Sequence, residues 1–151
     1  MSDFVFNIAK GAFVEKFRDG AANGLMLLLT AADDRVVYKM RRGSVDVVAA
    51  LSTGGRDGRA YVRVVAPVMV PPSEATRRAA LLERLLELNA HGMQNAAFGL
   101  AEGQVIAVSE RPVTGLDQVE FEQMLTHLSA VADTFDDKLV AEFGGRRASD
   151  G

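Results

Sequence analysis

A proline pair, Pro71-Pro72, divides the chain into two regimes. Just before it, apolar residues run as strands do; just after it, leucines recur at three- and four-residue spacing, as helices require. Proline cannot donate to a sheet ladder, so the β-branched run Tyr61–Met69 must stop there, and Ser73 is placed to cap a following helix. All-helical and all-strand folds are both excluded. At 151 residues, with 48% hydrophobic and 25% charged residues, the chain has the length and apolar content for one domain around one core.

Upstream of the prolines, Ser2 and Asp3 precede Phe6, Ala9, Phe13 and Phe17, a spacing that predicts a short amphipathic helix ending at Gly20. Leu25–Thr30 is a continuous apolar run, by periodicity either a buried strand or an extension of that helix, and is read here as a strand. Val36, Tyr38 and Met40 then alternate with Val37, Lys39 and Arg41, and a tight connection at Arg42-Gly43-Ser44 leads into Val45, Val47, Ala49 and Leu51. A glycine-rich loop at Ser52–Gly58 precedes the Tyr61–Met69 strand, completing an antiparallel meander.

Downstream, a helix runs to about Asn89 and is closed by His91-Gly92. Phe98 and Leu100 pair with Ile106 and Val108 through a turn at Glu102-Gly103. Asp117-x-x-Glu120 is a capping-box-like start for a last helix carried by Phe121, Met124, Leu125, Leu128, Ala132, Phe135 and Leu139, and Gly144-Gly145 ends it. The order is helix, three or four strands, helix, two strands, helix. The expected class is α+β, an antiparallel sheet with helices packed mainly on one face, written α-β-β-β-α-β-β-α when Leu25–Thr30 is not counted. Residues 1–145 form the expected domain and 146–151 a flexible tail.

The two long helices differ. The apolar positions of the last one fall on a single arc, which one buried face explains. The middle helix carries two stripes, Leu81, Leu85 and Leu88 on one side and Ala75, Ala79, Leu82, Leu86 and Ala90 roughly 130° away at about 100° per residue. That is more apolar circumference than a sheet-facing helix needs. A mixed large-and-small stripe suits close helix approach, so Ala79, Leu82 and Leu86 are candidate homodimer residues.

Chemistry is sparse. With no cysteine, thiol nucleophiles and thiolate metal sites are absent. His91 and His127 lie on different predicted elements without a metal-ligand spacing, and each reads as a satisfied polar group at a helix end or surface. Asp33-Asp34 and Asp136-Asp137 lack the further ligands of a calcium loop and read as solvated charge, and Gly54-Gly55-Arg56-Asp57-Gly58 lacks the Lys-Ser or Lys-Thr of a phosphate loop. No catalytic, cofactor-binding or metal-ligating residue is assigned. The apolar runs are too short for a membrane span and the N-terminus has no secretory pattern, so a cytoplasmic location is expected.

Charge is uneven. The formal net charge is −3, yet seven basic residues between Arg35 and Arg63 face only Asp46 and Asp57, while eleven acids between Glu83 and Glu142 face only Arg84, Arg111 and Lys138. The basic half, with Tyr38 and Tyr61 beside Lys39, Arg41 and Arg63, allows an alternative function in binding single-stranded nucleic acid, against which the acidic total argues.

The stretch Leu81-Leu82-Glu83-Arg84-Leu85-Leu86-Glu87-Leu88-Asn89, the hairpin of Phe98-Gly99-Leu100 with Val105-Ile106-Ala107-Val108, and Gly115-Leu116-Asp117 before the last helix together resemble the YbjN family, which is similar in fold to type III secretion chaperones. The resemblance spans residues of about 60–143 and contains nothing catalytic. It implies an α+β subunit that dimerises and binds an extended or partly folded segment of another protein, without enzymatic activity. On that reading Tyr61, Val62 and Val64 are candidate partner-facing residues, with Arg41 and Arg63 as charged flanks.

Overall fold

The computed structural model describes residues 26–32, 35–42, 45–52, 57, 59 and 61–150. The helix expected near the N-terminus lies outside them. Four strands precede the first described helix: β1 (Met26–Ala32), β2 (Arg35–Arg42), β3 (Val45–Ser52) and β4 (Tyr61–Val70). The strand expected at Leu25–Thr30 is described from Met26 on, and the three-strand form of the expected order gains a fourth. Then follow α1 (Ala75–His91), β5 (Ala97–Ala101), β6 (Gln104–Pro112), α2 (Gln118–Phe143), the short β7 (Arg146–Arg147) and a 3-10 turn at Ala148–Asp150. The strands form one antiparallel sheet in the order β1-β2-β3-β4-β6-β5, with β7 added on β4. No described helix is long and apolar enough to cross a membrane.

Strand parity decides where the core lies. On β4, Val62, Val64, Ala66 and Val68 are buried, whereas Arg63, Val65 and Pro67 between them point to the other side. On β3, Val45, Val47 and Ala49 match them. α2 packs on β4, β3 and β6 through Phe121, Met124, Leu125, Leu128, Ala132 and Leu139, and α1 adds Leu81 and Leu85 to the same core. Proline in a central strand would normally break a ladder. Pro67 is accommodated because the β3–β4 pairing stops at Val48↔Val65, and a bulge between Pro67 and Met69 turns both Val68 and Met69 inward.

Local chemistry sets the element ends. Glu74, not Ser73, caps α1: its carboxylate accepts from the Thr76 and Arg77 amides at 2.9 Å each, while Ser73 stays exposed. A carboxylate satisfies two first-turn donors and meets the positive end of the helix dipole, where a hydroxyl reaches one donor. Asp117 caps α2, accepting from the Glu120 amide at 2.8 Å. The reciprocal half of a capping box is missing, because the Glu120 carboxylate pairs at 3.0 Å with Arg111, which also donates to Pro112 O and Thr114 O. Glu102 and Gly103, both at positive φ, form the two-residue turn that joins β5 to β6.

The segment expected as a loose tail is paired instead. Arg146 and Arg147 lie opposite Val70 and Met69, and Arg147 bridges Asp150 and Asp137. Gly144 and Gly145, both at positive φ, make the approach possible; a Cβ on Gly145 would fall 2.1 Å from Val70 O. Asp136, expected to be solvated, is only 6% exposed and accepts from the Asp137 amide at 2.6 Å, while Asp137 stays in solvent. Burial pushes the Asp136 carboxyl above the usual Asp range.

Candidate protein-binding surfaces

Two apolar surfaces remain outside the core of the described residues. The first is the outer stripe of α1. Leu81 and Leu85 are consumed by the core, whereas Ala75, Ala79 and Ala90 are exposed, Leu82 is half-buried and Leu86 is 69% exposed. The helix forms on this sequence because Ala, Leu, Arg and Glu are strong helix formers and the Glu74 cap closes its first turn. Of the three candidate dimer residues, Ala79 and Leu86 therefore face solvent and Leu82 leans on the core edge. Charged neighbours flank the stripe, among them the Arg84–Glu87 pair at 3.4 Å.

The second surface is the sheet face turned away from α1 and α2. Register places Val48 beside Val65, Val65 beside Val108, and Pro67 beside Ile106. All are half-buried except Ile106, which is 7% exposed yet lies outside the cluster that forms the core. Across this face Arg63 and Glu110 pair at 3.5 Å. The runs Val64-Val65-Ala66 and Val105-Ile106-Ala107-Val108 are apolar at both parities, the pattern of a strand with two apolar faces. That signal was present in the sequence, although it does not say what each face meets.

The residues expected to face a partner do not form one site. Val62 and Val64 are core residues beneath α2, because strand alternation puts them on the face opposite Arg63. Their apolar character is spent inside the subunit, and Val65 takes their place on the other face. Tyr61 is half-buried at the start of β4, where its hydroxyl donates to the Asp57 carboxylate at 2.8 Å and Arg59 sits over its ring at 5.7 Å. This donation, followed by those from Arg59, lowers the Asp57 carboxyl to about 2. Arg63 is exposed on the apolar face. Arg41 lies two strands away in β2, and its backbone sits opposite Asp46, four positions along from the level of Ala50 and Arg63. At about 3.3 Å per residue that offset is roughly 13 Å along the strands.

Arg59 and Arg63 are each paired with a carboxylate, Asp57 and Glu110, which offsets the local charge that suggested a nucleic-acid strand. His91 and His127, from different elements, both line a shallow hollow with Asn89 and Met93, and the His127 Nε2 lies 2.7 Å from the Gln94 carbonyl oxygen. Among the described residues no three His, Asp or Glu side chains converge as metal ligands.

Residues 25–151 match the family described as type III secretion system (YopN, CesT) and YbjN peptide-binding chaperone 1. No curated protein matches the chain. Among solved structures, the HopA1–SchA chaperone–effector complex is similar with a TM-score of 0.56 at 16% identity, covering 88% of this chain and 97% of that one. The ExsC–ExsE complex is similar with a TM-score of 0.51 at 20% identity, covering 73% and 80%. At such identities the likeness is one of fold: an antiparallel sheet flanked by helices. With the family match over most of its length, the chain belongs to the type III secretion and YbjN peptide-binding chaperones.

Proposed function

We propose that the chain works as a homodimer joined through the outer stripe of α1 and holds an extended or partly folded segment of another protein on the apolar sheet face. The observation that carries the reading is Leu86, 69% exposed on a helix whose opposite stripe is already used by its own core. Burying a leucine of this kind contributes about 2 kcal/mol, and the alanines at 75, 79 and 90 let a second helix approach closely. The sheet face offers Val48, Val65 and Val108 to the side chains of a bound segment, with the Arg63–Glu110 pair as a polar rim. The family's peptide binding and the HopA1–SchA chaperone–effector likeness support the client half of this reading.

Sedimentation velocity at micromolar concentration tests the dimer, which should appear for the wild type and give way to monomer for Leu86→Asp. A wild type that stays monomeric removes the α1 interface. A permanently unfolded probe, reduced and carboxymethylated α-lactalbumin, tests the client face. Val65→Lys should weaken its binding roughly tenfold or more, about 1.4 kcal/mol, without changing the sedimenting mass. Unchanged affinity would move client binding elsewhere.

A further inference from the structure

Sheets end in edges, and the described sheet ends at β5. Its sequence, Ala97-Phe98-Gly99-Leu100-Ala101, carries no charge, no proline and no bulge, the features that ordinarily protect an edge. Yet the edge is not bare. The Asn89 side chain, from the last turn of α1, accepts from the Phe98 amide at 2.8 Å and donates to the Phe98 carbonyl at 3.1 Å. An amide that gives and takes one hydrogen bond at the same residue reproduces what a neighbouring strand would do there.

Parity makes the consequence specific. The Phe98 amide is used outward, so Phe98↔Ala107 is a pair without ladder bonds to β6, and by alternation Leu100↔Val105 is another. Phe98 and Leu100 are the β5 residues whose backbone groups point away from the sheet, and Leu100 is 46% exposed. A second copy of this chain could meet β5 about a two-fold axis through Gly99, a self-complementary arrangement. Gly99 then lies opposite its equivalent, and each Phe98 opposite a Leu100 in the bonded pairs. Every ladder bond of that pairing needs Phe98, which Asn89 already occupies. We infer that Asn89 closes the β5 edge to a second copy of this chain by standing in for a strand at Phe98. The inference rests on β5 and Asn89 alone, independently of the α1 dimer.

The test is run in a Leu86→Asp background, so that association through α1 does not contribute. Amide exchange in the otherwise unmodified chain should show Phe98 protected and Leu100 fast; equal, fast exchange at both overturns the inference, and needs no further variant to fold. Asn89→Ala should speed Phe98 exchange about tenfold or more, a loss of roughly 1.4 kcal/mol, and raise the sedimenting mass as concentration rises. Adding Leu100→Pro, which deletes an outward donor without touching the bonds to β6, should restore the lower mass. Asn89→Asp, which keeps an acceptor for the Phe98 amide and adds charge at the edge, should remain unassociated. An Asn89→Ala chain whose mass stays at the background value across the concentration range overturns the inference, whatever its exchange rates.

Discussion

At single residues, several polar side chains are held in ways that run against their type. Glu74 and Asp136 have opposite linkage to pH. The Thr76 and Arg77 amides hold the Glu74 carboxyl below its usual range, so its stabilisation is complete above the unfolded carboxylate value and lost as pH falls through the lower folded one. Asp136 is raised by burial: the folded chain keeps a proton that the unfolded chain releases, so stability is withheld at neutral pH and returns as pH falls through the raised value. Thermal unfolding of Asp136→Asn should therefore show a higher Tm than wild type at pH 7, with the gain gone below the ordinary Asp value of about 4; no gain at pH 7 would mean that the charge is compensated where it sits. Ser109 is a second misfit, 4% exposed and with no hydrogen-bond partner for its hydroxyl. Removing an unsatisfied buried hydroxyl takes away a desolvation cost, so Ser109→Ala should leave stability unchanged or raise it by up to about 1 kcal/mol in urea unfolding.

Among the elements, α1 carries two stripes of opposite exposure. Leu81 lies wholly inside the core, and Leu81→Ala should cost about 2–5 kcal/mol in denaturant unfolding at any protein concentration. Leu86→Ala should cost little in a dilute monomer and lower the apparent stability only where the proposed α1 dimer is populated, because association adds to stability by mass action. A concentration-independent loss at Leu86 equal to that at Leu81 would contradict the separation of the stripes. The terminal strand is the second case. Gly145→Ala cannot be accommodated beside Val70, so β7 should detach, and amide exchange at Val70, whose backbone groups face that segment while Met69 pairs with Val105 of β6, should rise with little change in α2. The periodicity of these elements is visible in the sequence, because burial on one side imposes it. Their partners are not, since an exposed stripe and a buried stripe of leucine and alanine read alike.

At the scale of the molecule, among the described residues, one side of the sheet is closed by α1 and α2 and the other carries apolar side chains of β3, β4 and β6 outside that core. The proposed client face needs no convergent titratable groups; it needs apolar surface held rigid by a core on the opposite face. The sequence by itself determined the element types, the antiparallel pairing through short turns, the helix starts at 74 and 117 to within a residue, and the two stripes of α1, since these depend on spacing, turn residues and caps that act within a few positions. Only the tertiary structure decided which parity of β4 meets α2. That sent Val62 and Val64 inward and left Val65 and Arg63 on the other face. It also decided that Asp136 is buried, that the last residues pair with Met69 and Val70, and that Asn89 reaches Phe98. Each of these depends on which distant surface a side chain meets, and a two-residue repeat looks the same from either face until a helix has packed on one of them.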